Sequence, residues 1–158
     1  MKKTLISVLL MLALLMGVEE VLGEAADPFA AQREAAVAAT IAAVPGAEVD
    51  YSVRDRDDGR YERHVFFRQS GVLGMAKVIE GSSEVRKVEL FNQSRDTSMT
   101  ASEAMEKLAQ AKGEVTIVDL DLDWDDGRLA YEGEAELNGR RYEFEITADG
   151  VIVEWERD

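Results

Sequence analysis

One histidine and a dense run of aspartates are the side chains in this sequence best placed to do chemistry. Asp119, Asp121, Asp123, Asp125 and Asp126 put five carboxylates within residues 119–126. Carboxylates at that density hold hard cations through oxygen. An EF-hand loop, however, needs Gly at its sixth position and Glu at its twelfth. Counted from Asp121, Glu132 stands twelfth but Asp126 stands sixth, and Gly127 comes one place late. Leu120, Leu122 and Trp124 alternate with the acids, which is the period of a strand. The run therefore reads first as a solvated acidic edge strand and turn, with charges that discourage edge-to-edge aggregation. A surface for a basic partner and a divalent-cation (calcium) site are the alternatives.

His64 is the only histidine, and there is no cysteine. Alone, it cannot build a site of several imidazoles, and no thiolate can assist it. It is expected on a sheet surface. No Gly-x-Ser-x-Gly elbow is present, and Ser70 and Ser98 lie in loops without a motif. Glu132, Glu134 and Glu136, like Glu143 and Glu145, interleave with apolar residues as the polar face of a half-buried sheet does. Lacking a nucleophile–base–orienter set, the chain is expected to have no catalytic residues and no cofactor site.

The net charge of −14 disfavours nucleic acid and anionic membranes as partners, and favours a protein partner or cations. Met1-Lys2-Lys3 and the apolar run from Thr4 to Val18 have the form of a signal peptide, too short to span a bilayer. Cleavage is expected after Gly23 or Ala25, giving a periplasmic or secreted bacterial protein that is not membrane-spanning. No cysteine follows the apolar run, so a lipid-anchored lipoprotein is not expected. Without disulfides, the core must hold the fold.

The remaining chain divides into two similar halves. Asp27-Pro28 suits a helix start, with Asp as the N-cap. Phe29, Ala36, Val37, Thr40, Ile41 and Val44 form a helical stripe that ends at Pro45-Gly46. Val49, Tyr51 and Val53 alternate as a strand, Asp57-Asp58-Gly59 turns, and Tyr61, Val65 and Phe67 return with Phe66 on the other side. Two more strands are expected over 71–79 and 85–90, then a polar linker over 93–98. Thr100-Ala101-Ser102-Glu103 is a capping box. The helix behind it turns Ala104, Met105, Leu108 and Ala111 inward and stops at Gly113. In the next strand Thr116, Val118, Leu120, Leu122 and Trp124 are expected to face the core, with Ile117, Asp119, Asp121 and Asp123 opposite. Asp125-Asp126-Gly127, Asn138-Gly139 and Asp149-Gly150 punctuate three further strands. Trp124, Trp155, Tyr131, Tyr142 and Phe144 are expected to be mostly core. Asp57-Asp58-Gly59-Arg60 recurs 68 residues later as Asp125-Asp126-Gly127-Arg128, as an internal duplication would have it. The fold class expected is α+β: two helix-plus-antiparallel-sheet units, 27–92 and 99–158, in tandem after the signal peptide.

The second unit resembles a PepSY domain. The residues that carry the likeness are Thr100–Ala104, Gly113, Val115–Asp123, Asp126-Gly127, Tyr131–Glu134, Tyr142–Glu145 and Asp149–Glu154. One departure is the last turn, Thr147-Ala148-Asp149-Gly150, where the family usually has Asp-x-x-Thr-Gly. The first unit resembles it in outline, and the tandem is similar to PepSY-like proteins compared with beta-lactamase inhibitor protein, although that inhibitor's disulfides cannot form here. The resemblance implies a non-catalytic binding or regulatory module of the envelope that inhibits or chaperones a secreted or membrane peptidase.

Overall fold

A computed structural model describes residues 27–57, 59–92, 94 and 97–158. The expected signal peptide lies outside the described residues, as does part of the expected linker. Among the described residues no helix is long and apolar enough to cross a membrane. Helix α1 spans Ala30–Ala43, and β1 Glu48–Asp57, β2 Arg60–Gln69, β3 Val72–Ile79 and β4 Glu84–Phe91 follow. Helix α2 spans Ala101–Lys112 and leads to β5 Thr116–Asp125, β6 Arg128–Leu137, β7 Arg140–Thr147 and β8 Ile152–Arg157. The strands form two antiparallel meanders, β1-β2-β3-β4 and β5-β6-β7-β8. Each strand of the second starts 68 residues after its counterpart: 48 and 116, 60 and 128, 72 and 140, 84 and 152.

The helices start differently. Asp27 does not cap α1 as expected. Pro28 and Phe29 first make a turn, so Asp27 Oδ1 accepts the Phe29 N–H at 2.9 Å and Oδ2 pairs with Arg33 at 3.1 Å. Ala36 and Thr40 are buried, and the Thr40 hydroxyl donates to the Ala36 carbonyl, while Ile41 is 47% exposed, off the expected stripe. On α2 the capping box is present. Thr100 Oγ1 accepts the Glu103 N–H, and Glu103 Oε2 accepts the Thr100 N–H at 2.8 Å. Ala101, Ala104, Met105 and Leu108 are buried, but Ala111 is exposed. Asp126-Gly127 and Asn138-Gly139 both have positive φ at each residue, the backbone that a tight two-residue hairpin demands.

Two bulges change which side chains share a face. In β5 the register slips between Ile117 and Asp119, so Ile117 pairs with Ala135 and Leu120 with Gly133. Val118 is the extra residue. Ile117, not Val118, therefore joins the core side with Leu120 and Leu122, because one inserted residue inverts the alternation behind it. A matching slip lies between Val49 and Tyr51 in β1.

Helix α1 covers one face of the first sheet, over Val65, Phe67, Ala76 and Val78. The opposite face is not open. Val53, Phe66, Leu73, Met75 and Phe91 enter one core with Ala104, Met105 and Leu108 of α2 and Leu120, Leu122, Tyr131, Phe144 and Ile146 of the second sheet. β2 is thus covered on both sides, and its run from Glu62 to Phe67 is entirely buried. The charges within that run are answered: Arg86 pairs with Glu62 at 2.9 Å and Glu80 with Arg63 at 3.3 Å.

Tyr131 sits at the centre of this core. Its hydroxyl donates to the Met99 carbonyl at 2.8 Å, and its ring meets Phe66 edge-on with centroids 6.2 Å apart. Burial pushes its pKa far above the usual 10.0, with Asp50 and Glu103 acting the same way and Arg68 opposing. The folded protein keeps this proton where the unfolded chain releases it. Stability is therefore whole below pH 10 and falls as pH rises beyond it, by about 1.4 kcal/mol per unit from this group. Tyr131→Phe should lose about 1 kcal/mol at neutral pH with the hydrogen bond, yet above pH 10 show a slope shallower by about 1.4 kcal/mol per pH unit. Urea unfolding at pH 7 and above pH 10 checks this; an unchanged slope contradicts it.

Candidate functional site

The helix-free face of the second sheet carries two rows of acids that cross all four strands. The register aligns Asp121, Glu132, Glu145 and Glu154 in one row and Asp119, Glu134, Glu143 and Glu156 in the other. Directly opposed residues bring their Cβ atoms to about 4.5–5.5 Å, and like charges so placed repel. Among the described residues, Lys77 pairs with Asp121 at 2.8 Å and Arg141 with Glu134, and the charge of Arg128 acts on Glu145. The rows border an open concavity of about 490 Å³. Partial burial and then neighbouring carboxylates push the pKa of Glu132 and of Glu145 upward; around Glu132 the neighbours are Glu145, Asp125, Asp123 and Asp121. The face is thus a strong negative potential over a rigid, hydrogen-bonded platform. One carboxylate oxygen each from Asp125, Glu132 and Glu145 lies within 4.8 Å of the other two, close enough to share a hard cation.

The five aspartates singled out from the sequence do not act together. Asp119 is half-buried, and burial followed by the charge of Asp55 raises its pKa, with His64 opposing. Asp121 is tied to Lys77. Asp123 is exposed and accepts the Trp124 N–H. Of the five, Asp125 brings a carboxylate oxygen within 4.8 Å of Glu132 and Glu145, while Asp121 faces Glu132 across the strand pair and Asp126 serves the turn. Nor is β5 a free edge, since it lies against the inner face of the first sheet through His64, Lys77 and the shared core.

His64 is not on a surface. It is 2% exposed, and its Nδ1 lies 2.8 Å from the Leu120 carbonyl. The second half closes over the strand that the alternation left open. The aromatic residues divide. Tyr131 and Phe144 are core, Trp155 stacks on Tyr142 at 4.6 Å under Lys112, and Trp124 is 39% exposed. Of the residues in the two rows and around His64, Glu132, Glu134, Glu143 and Glu145 read in the sequence as an ordinary polar face, and Asp55, Glu154 and Glu156 belong to no chemical motif. The available signal was the Glu-x-Glu spacing repeated in β6, β7 and β8.

Residues 98–150 match the family model described as "Peptidase propeptide and YPEB domain". The C-terminal half carries a PepSY domain. The acidic grid therefore lies mostly on the PepSY sheet, and the capping box of α2 opens the PepSY helix. No curated protein matches the chain. Among solved structures, a candidate lipoprotein from Clostridium difficile is similar over 78% of this chain and 90% of its own, at 16% identity and a TM-score of 0.44. A DUF2874 family protein from Bacteroides uniformis is similar over 78% and 87%, at 12% identity and a TM-score of 0.32. A BLIP-like protein from Bacteroides fragilis is similar over 78% and 84%, at 9% identity and a TM-score of 0.30.

Proposed function

We propose that this chain is a non-catalytic binding module of the bacterial envelope, exported by its N-terminal signal segment, that docks a basic segment of a protein partner on the acidic face of its PepSY sheet. A secreted or membrane peptidase is the partner class that the PepSY match suggests. The observation that carries the reading is the double row of carboxylates, opposed strand by strand with few neutralising cations. Like charges held at cross-strand distance cost stability, and a basic partner would relieve that cost on binding. The equal 68-residue offset of all four strand pairs supports reading the two halves as a duplication. In the first half, the face equivalent to the grid is the one that α2 and the second sheet cover. The same face of the second half is where a further polypeptide would sit.

The test uses the purified protein, an Arg/Lys-rich synthetic peptide and a secreted metallopeptidase. Replacing Glu132, Glu143, Glu145 and Glu154 by Gln should weaken peptide binding at least about tenfold at low ionic strength. It should also relieve any peptidase inhibition, while leaving the fold at least as stable. Binding that is unaffected by the four substitutions rejects the acidic face as the dock.

A second reading, calcium binding, is favoured by the convergence of Asp125, Glu132 and Glu145. Calorimetry with millimolar calcium separates the two, since heat no greater than a buffer blank removes this one.

A further inference from the structure

We propose that Asp55, His64 and Asp119 form a binding site for a first-row divalent metal, of which Zn²⁺ is the best fit, bridging the two halves of the molecule. One ligand atom from each of the three lies within 4.8 Å of the other two. His64 Nε2 stands 3.5 Å from Asp55 Oδ2. For bonds of about 2.0–2.1 Å to zinc, neighbouring ligand atoms of a tetrahedron lie roughly 3.3 Å apart, so little movement is needed.

The second observation is the imidazole itself. His64 is 2% exposed, and among the described residues its buried Nε2 has no hydrogen-bond partner, nor has Asp119 Oδ1. Its other nitrogen, Nδ1, meets the Leu120 carbonyl at 2.8 Å. A carbonyl only accepts, so Nδ1 carries the proton, and in the neutral ring Nε2 is left as a bare lone pair. This is the outer hydrogen bond that fixes the tautomer and aim of metal-binding histidines. A buried lone pair, a half-buried carboxylate oxygen and a second carboxylate converge with only oxygen and nitrogen acceptors facing one another. A divalent cation satisfies all three at once.

The donor set selects the metal. One imidazole and two carboxylates suit zinc and its first-row neighbours better than calcium, which takes oxygen alone. Three protein ligands leave a fourth position for water. Asp55 borders a surface hollow of about 350 Å³ that Arg54, Arg56, Tyr61, Val118, Glu134 and Arg141 also line, so the Asp55 end of the site faces solvent. Asp55 and His64 lie on β1 and β2, and Asp119 on β5, so a bound ion would clip the second half to the first. This site is separate from the Asp125–Glu132–Glu145 group, and it stands whether or not the acidic face docks a partner.

Zn²⁺ alone, added to the metal-stripped protein, is the probe. Calorimetry should find one His64-dependent ion per chain and a raised unfolding temperature. Because the chain has one histidine, its ¹⁵N imidazole signals report the site directly, and the Nε2 signal should shift on loading. His64→Gln and Asp119→Asn should each weaken that binding by about a hundredfold or more. Asp119→Asn keeps the shape of the side chain and removes a half-buried charge, so it guards against a loss that reflects misfolding. Excess Ca²⁺ should not displace the ion. Zinc bound with the His64 signals unmoved, or bound equally by both variants, would place it on the acidic face and overturn the proposal. No binding at all overturns it as well.

Discussion

Gly133→Ala should cost about 3 kcal/mol or more, the largest loss expected from adding one methyl group anywhere in the second sheet. A Cβ on Gly133 would fall 2.1 Å from the Asp119 carbonyl oxygen, 2.9 Å from its carbon and 3.1 Å from the Leu120 Cα. All three are backbone atoms of the β5 bulge, so no side chain can swing aside. Either β6 or the bulge must shift, and both are anchored in the shared core. Gly74→Ala offers a graded comparison. There the nearest atoms, at 2.4 and 2.5 Å, belong to the Phe67 ring, which lies over the glycine across the strand pair. The ring can rotate, although the Glu89 carbonyl at 3.0 Å limits how far relief goes, so a smaller loss is expected. Urea midpoints for both variants check the order. A Gly133→Ala protein as stable as its parent would mean that the bulge is not where the register puts it.

Cutting the chain before residue 99 should abolish cooperative folding of the PepSY half, although that half contains its own helix and four strands. A sixty-residue chain buries only about 60% of its unfolded surface, less than a larger domain does, and is marginal alone. The fragment would also lose Val53, Phe66, Leu73, Met75 and Phe91 from over Tyr131, Leu120 and Leu122. Each buried apolar side chain contributes about 1.5–3 kcal/mol, so contacts with five are comparable to the whole stability margin of a domain. Asp50, which accepts the Ser102 N–H at 2.8 Å at the start of α2, would go too. The full chain should unfold in a single transition by circular dichroism and tryptophan fluorescence, whereas residues 99–158 should show a broad, non-cooperative one. A sharp transition for the fragment near the parent's midpoint would contradict the shared core.

What could be read from the sequence was what repeats locally. The Thr100–Glu103 box, the Asn138-Gly139 and Asp126-Gly127 hairpins and the period-two pattern of β6 and β7 all depend on neighbours a few residues away, and these elements stand where expected. Three features escaped because they depend on packing between distant segments. The burial of β2 is hidden by Glu62, Arg63 and His64, whose partners on β4, in the β3–β4 turn and on β5 lie 17 to 56 residues off. The β5 bulge left only the doubled apolar pair Ile117-Val118 as a sign, and one extra residue was enough to exchange their faces. The sequence shows the acids of β5 as alternating along one strand, but the site forms across four, where register decides which acids meet. Register is set by turn lengths and bulges together, so the grid appears only once both are known.

The most direct measurement of the central claim is a map of amide shifts on the ¹⁵N-labelled protein as an Arg/Lys-rich peptide is added. The largest changes should fall on Glu132, Glu143, Glu145 and Glu154, fade with salt, and vanish when those four glutamates become glutamines. Shifts that gather instead on α1 or along β4, or that survive the four substitutions, would show that the partner sits elsewhere and that the acidic sheet is only a solvated face.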